Sequence, residues 1–156
     1  MVSQFNLSNM ASLRLALGSD HAGFQIKQQL LPFLKSLGHT VKDFGTFSDT
    51  SIDYPDVARP IAESVANAEF DFGILVCGSG NGVSITANKV KGVRSALCWL
   101  PEIAALARAH NNANVCSVPG RYVTIEVAQE IVTSFLGTEF EGGRHSTRVS
   151  KIEPSC

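Results

Sequence analysis

Excess charge of either sign is missing: 13 lysines and arginines stand against 14 acids, a net charge of -1. That balance excludes a broad electrostatic surface for nucleic acid or for an anionic membrane. Any anion must be captured locally. Cysteine is sparse as well. The four thiols, Cys77, Cys98, Cys116 and Cys156, lack the paired short spacings of a zinc site, so no metal is expected. No secretory segment places them in an oxidising compartment, and reduced thiols in the cytoplasm follow. Long apolar runs are absent too: nothing approaches the roughly 20 residues of a membrane span. No internal repeat is visible. With 156 residues, the chain suits one domain with one substantial core.

What is present is an alternation. The apolar run Leu13 to Leu17 stops at Gly18-Ser19-Asp20, and Phe24, Ile26, Leu30, Leu31, Leu34 and Leu37 then recur at helical spacing up to Gly38. The same strand-then-helix reading holds for His39 to Phe44 and Pro55 to Asn67, for Phe72 to Val76 and Gly82 to Asn88, and for Arg94 to Cys98 and Pro101 to Asn111. Val115 to Val118 and Thr124 to Leu136 complete it. Five short strands separated by helices imply parallel pairing, because a parallel neighbour is reached only over a crossover. The expected fold is a three-layer α/β/α sandwich with a five-stranded parallel sheet, Rossmann-like in plan. Its boundaries are a loose, polar N-terminal extension at 1–11, an α/β domain at 12–137 and a basic tail at 138–156. The tail is too short for a domain and either docks on a neighbouring subunit or stays solvated.

In such sheets ligands bind beyond the carboxyl ends of the strands, so the loops after Leu17, Val76, Cys98 and Val118 are where chemistry is expected. After Val76 comes Cys77-Gly78-Ser79-Gly80-Asn81-Gly82. Its glycines leave backbone N–H groups uncovered and permit positive φ, which suits a cradle for an anion. It lacks the lysine of a P-loop and the spacing of a dinucleotide site. Cys77 stands beside a helix N-terminus, which would lower its pKa and suit a base or a nucleophile. Cys98 and Cys116 read as small buried hydrophobes.

Asp20 and His21 end the first strand facing the same crevice; Asp20 also reads as a helix N-cap and His21 as a donor to phosphate. His110 closes the helix begun at Pro101, where a histidine is commonly only a dipole partner. Arg121, Arg144 and Arg148, together with His21, have the chemistry of a phosphate clamp; Arg144 and Arg148 would share a face if the tail is helical.

These residues resemble the ribose-5-phosphate isomerase B family, the group that also holds the galactose-6-phosphate isomerase subunits. The likeness runs from about Leu13 to Arg148. It is carried by GSDHAGF at the first strand, DYPD from Asp53, CGSGNGVSITANK from Cys77, ARAHNNANV around His110 and EGGRHSTR from Glu141. The resemblance implies a metal- and cofactor-independent aldose-ketose isomerase of sugar phosphates acting through an enediolate. It implies Cys77 as the base between C1 and C2, and Ser79 as a proton shuttle at the substrate oxygens. Amides of the loop from Gly78 through Gly80 and Asn81 to Gly82 would hold the enediolate. Asp20 and His110 would open the furanose ring, Asn111 would steady the reacting oxygens, and His21, Arg121, Arg144 and Arg148 would bind phosphate. A homodimer with shared sites, or a tetramer, is implied as well. One branch of the family places a glutamate base where this chain has Val83, so the cysteine-base branch is the match.

Two other classes compete on the residues alone. A non-catalytic sugar-phosphate or nucleotide sensor has no need of Cys77. A covalent thiol enzyme would use it as a nucleophile, yet a phosphatase loop would usually carry an arginine that this loop lacks. Among isomerases, galactose 6-phosphate and allose 6-phosphate are the alternative substrates to ribose 5-phosphate.

Overall fold

The computed structural model describes residues 11–154; all but the last residue of the expected N-terminal extension lies outside the described residues. Strands and helices alternate as β1 (Arg14–Ser19), α1 (Phe24–Ser36), β2 (Thr40–Asp43), α2 (Pro55–Ala66), β3 (Phe72–Cys77), α3 (Asn81–Ala87), β4 (Ser95–Leu97), α4 (Pro101–Asn111), β5 (Val115–Pro119) and α5 (Ile125–Gly137). A short α6 (Arg144–Val149) follows, so the basic tail is partly helical and packs against α4.

Local chemistry sets the ends of these elements. Pro55 and Pro101 stand in the first turns of α2 and α4, where a missing N–H costs nothing. Thr124 caps α5 by accepting the Val127 N–H at 3.3 Å. Asn112, in the left-handed region, closes α4.

The five strands form one sheet in the order β2-β1-β3-β5-β4, parallel throughout. Strand alternation divides the core between its two faces. Leu15, Leu17, Ile74, Val76, Cys116 and Val118 pack with the apolar sides of α1, α4 and α5. Ala16, Leu75, Cys77 and Val115 pack with α2 and α3. Burial on both faces explains why the inner strands β1, β3 and β5 read as largely apolar runs. The chain passes from β1 over α1 to β2 on one side, then from β2 over α2 back past β1 to β3 on the other. The carboxyl ends of β1 and β3 therefore flank the point where the strand order reverses, which is where an open α/β sheet leaves a crevice.

Candidate active site

Asp20 and Cys77 meet at that crevice. Strand β1 ends one residue before Asp20 and pairs Ser19 with Val76, so Asp20 is delivered beside Cys77, the last residue of β3. The Asp20 N–H donates to Val76 O at 3.2 Å. The chain then turns so close to β3 that a Cβ at Gly23 would collide with the Val76 carbonyl, which accounts for a glycine there. Helix α1 begins only at Phe24 with Gly23 in the cap position, so Asp20 is not its N-cap. Its Oδ1 accepts the Gly23 N–H at 3.0 Å within the preceding turn, and its Oδ2 accepts the Cys77 thiol at 3.3 Å.

That contact reverses the expectation for the thiol. Burial is the largest influence and pushes the Cys77 pKa up; the hydrogen bond to Asp20 and the charge of that carboxylate push it further. The amides of Gly80 and Gly78 pull it down but do not prevail. Cys77 is therefore a protonated thiol at rest, held against a carboxylate, and a strong base once it loses that proton.

The loop after Cys77 wraps back toward β5. Gly80 has φ +76°, and a Cβ there would lie 2.5 Å from Leu97 Cδ1 and 3.3 Å from Pro119 N, so this position needs glycine on both counts. The Ser79 hydroxyl accepts from the Asn81 side-chain amide at 3.2 Å and from the Asn81 N–H at 3.3 Å. Two backbone bonds fasten the β5–α5 connection to this loop, Gly120 N–H to Cys77 O at 2.8 Å and Arg121 N–H to Gly78 O at 3.0 Å. They bring the Arg121 side chain alongside Gly78. His21 accepts the Ile52 N–H on Nδ1 at 3.3 Å, which leaves Nε2 as its proton-bearing nitrogen and hence a donor. Asp20, His21, Cys77, Gly78, Ser79 and Arg121 share a cleft of about 280 Å³. A buried thiol, a carboxylate, loop amides, a hydroxyl and a guanidinium on one cleft can bind an anionic substrate and move protons along its carbons.

The family model described as Ribose/Galactose Isomerase matches residues 15–152. The chain belongs to this family. It is 45% identical over 139 residues to ribose-5-phosphate isomerase B of Escherichia coli, covering 89% of this chain and 93% of that protein. It is 44% identical over 139 residues to ribose-5-phosphate isomerase B of Mycolicibacterium paratuberculosis, covering 88% and 87%. Among solved structures, a ribose 5-phosphate isomerase from Thermotoga maritima superimposes with a TM-score of 0.91 at 47% identity, over 93% of this chain and all of that one. Val83, the residue after the last glycine of the loop, is fully buried in the core.

Of the expected site residues, His110, Asn111, Arg144 and Arg148 do not line the cleft. Helix α4 starts just after the carboxyl end of β4 and β5 begins four residues after its end, so its 11 residues run back about 16 Å toward the amino edge of the sheet. His110 and Asn111, at its C-terminus, thus lie at the edge opposite to Cys77. The tail joins them there: the Glu141 N–H donates to Ala109 O at 3.0 Å, and α6, which carries Arg144 and Arg148, packs on α4. One chain therefore holds two half-sets of polar groups at opposite ends of its strands.

Three residues near these half-sets escaped the sequence reading. Tyr122, 78% exposed, lines the cleft beside Arg121; an aromatic directly after a strand-end arginine was the available signal. Glu141 and His145 flank His110, and both belong to the EGGRHSTR motif.

Proposed function

We propose that this chain interconverts D-ribose 5-phosphate and D-ribulose 5-phosphate, with Cys77 as the base that moves a proton between C2 and C1. The observation that carries the reading is the Cys77–Asp20 contact of 3.3 Å inside a cleft walled by loop amides and Arg121. A thiol becomes an effective base there by passing its proton to the adjacent carboxylate. Cys77 then removes the C2 proton of the open-chain aldose and returns it to C1, while Ser79 relays the O2 proton to O1. Backbone amides of the Gly78–Gly82 loop stabilise the enediolate charge as it forms, a contribution of roughly 10²- to 10³-fold per well-placed donor.

Ring opening precedes this step. His110 gives a proton to the ring oxygen as the C1–O bond breaks, the O1 hydroxyl gives its proton to Asp20, and solvent restores both groups. Because His110 and Asn111 lie at the far edge of their own sheet, this scheme draws them from a second copy of the chain. It thereby supports a homodimer in which Arg144 and Arg148 of one protomer join His21 and Arg121 of the other around the phosphate. Among the described residues no helix is long and apolar enough to cross a membrane and Cys77, Cys98 and Cys116 are free; both fit a cytoplasmic enzyme.

The purified chain should turn over ribose 5-phosphate in preference to allose 6-phosphate and galactose 6-phosphate, without added metal. Cys77→Ala should lower kcat by at least about 10²-fold, the lower end of what a positioned proton carrier contributes, while circular dichroism stays unchanged. Near wild-type turnover by that variant would end the cysteine-base reading.

A further inference from the structure

His110 and His145 lie face to face. Their ring centroids are 4.3 Å apart and their planes 8° from parallel. A single carboxylate oxygen of Glu141 stands 3.8 Å from Nε2 of His110 and 3.6 Å from Nε2 of His145. The backbone builds this arrangement rather than leaving it to side-chain rotation. Glu141 is tied to Ala109, the residue before His110, and the His145 N–H donates to Gly142 O at 3.0 Å. His145 is buried, whereas the side chains of His110 and Glu141 are open to solvent.

Such an assembly does more than fill space. Two stacked imidazolium rings would repel each other, so a stable stack keeps one ring uncharged. The surroundings assign that part to His145. Burial is the main influence lowering its pKa, followed by the charges of His110 and Arg144, with Arg148 adding slightly and Glu141 opposing. A neutral, buried ring is then a flat surface against which His110 rests, and Glu141 is the anion at the open rim. The three groups offer nitrogen and oxygen atoms within 4.8 Å of one another. Near-parallel rings, however, aim their nitrogen lone pairs side by side instead of at one point, as a shared metal ion would require.

We propose that Glu141 and His145 are positioning residues that fix the ring plane and the proton-bearing nitrogen of His110 for delivery to the furanose ring oxygen. This rests on the isomerase reading above and adds to it the pair through which the ring-opening acid is held. Misplacing an acid by about 1 Å costs up to about 10²-fold in rate, and the loss falls only on the step that the acid serves.

The test separates ring opening from proton transfer. Ribulose 5-phosphate carries its phosphate on O5 and stays open-chain, so exchange of its C1 proton in deuterated water needs Cys77 but no ring opening. In the full-length enzyme, Glu141→Gln and His145→Ala should each lower kcat for ribose 5-phosphate about tenfold, a partial misplacement on that scale. KM should stay within about twofold and C1 exchange near wild type. His145→Phe, which restores a flat ring, should recover part of the loss. Unchanged kcat in both variants overturns the proposal, as does a rise in KM alone, which would place the pair in the phosphate clamp. Equal loss of isomerisation and exchange overturns it too, by showing a general structural effect. Failure of the wild-type chain to exchange C1 or to turn over ribose 5-phosphate is a different result: it removes the isomerase reading itself, and the pair's role with it.

Discussion

The group that most alters the chemistry of Cys77, after its own burial, lies 57 residues away in the chain. The glycine pattern after Cys77 is a local feature, and so the cradle and the place of the thiol at a strand end were legible in the sequence. The pairing of Ser19 with Val76 is a matter of register between two strands, which no local pattern records. Asp20 was accordingly placed at the same crevice and also offered as a helix cap, but not as the partner of the thiol, and the helix terminus was given the deciding influence on Cys77. In the folded chain the carboxylate and burial outweigh the amides of Gly80 and Gly78, and the pKa moves up instead of down. The sign of one substitution follows. Asp20→Asn removes an anion that disfavours the thiolate and replaces an acceptor by a group able to donate to it, so the Cys77 pKa should fall. Alkylation by iodoacetamide, followed against pH in a Cys156→Ser background, measures this directly, because Cys98 and Cys116 are fully buried. The midpoint should move to lower pH while isomerase activity drops. An unmoved or more alkaline midpoint would show that burial alone sets the thiol.

At the scale of elements, the alternation of strands and helices was legible because both faces of the sheet are covered, which makes the inner strands β1, β3 and β5 largely apolar and gives the helices their stripes. The order in which β5 inserts between β3 and β4 is absent from such patterns, since periodicity says which residues are buried but not beside what. The stripe of α1 hides a further example. Lys27 lies three residues from both Phe24 and Leu30 on the buried face, a place where a charge breaks the apolar stripe. It is fully buried, with Nζ 2.7 Å and 2.6 Å from the two carboxylate oxygens of Asp43 and 5.6 Å and 5.3 Å from the ring centroids of Phe24 and Phe47. Asp43 in turn accepts the Gly45 N–H at 2.8 Å, so the pair clamps α1 to the end of β2 and to the loop that follows. Lys27→Ala strands a mostly buried carboxylate and opens a cavity, and it should cost about 3–5 kcal/mol in urea unfolding. A double replacement, Lys27→Met with Asp43→Leu, should cost markedly less, because it removes both charges together. Equal losses in the single and double variants would mean that shape, rather than the stranded charge, dominates.

For the molecule as a whole, the placement of α4 is the decisive fact. The sequence shows that His110 ends a helix and that Cys77 ends a strand, and in a strand–helix–strand crossover these two ends necessarily point opposite ways. The separation of the two half-sets was in that sense readable from topology alone, whereas the packing of the tail on α4 was not, because six helical residues carry too little periodicity to announce a docking face. If one site takes Cys77 from one protomer and His110 from the other, two inactive chains can repair each other. A Cys77→Ala homodimer lacks the base at both sites and a His110→Ala homodimer lacks the acid at both. A mixed dimer has one site missing both groups and one site complete. Random re-association of equal amounts makes half of the dimers mixed, so activity should return to about one quarter of wild type. Co-refolding or co-expression with two different affinity tags isolates the mixed dimer, whose activity should be about half of wild type. A mixed dimer no more active than its parents would place both residues in the same chain's site. It would require α4 to reach the carboxyl edge of its own sheet, against the direction in which its 11 residues run.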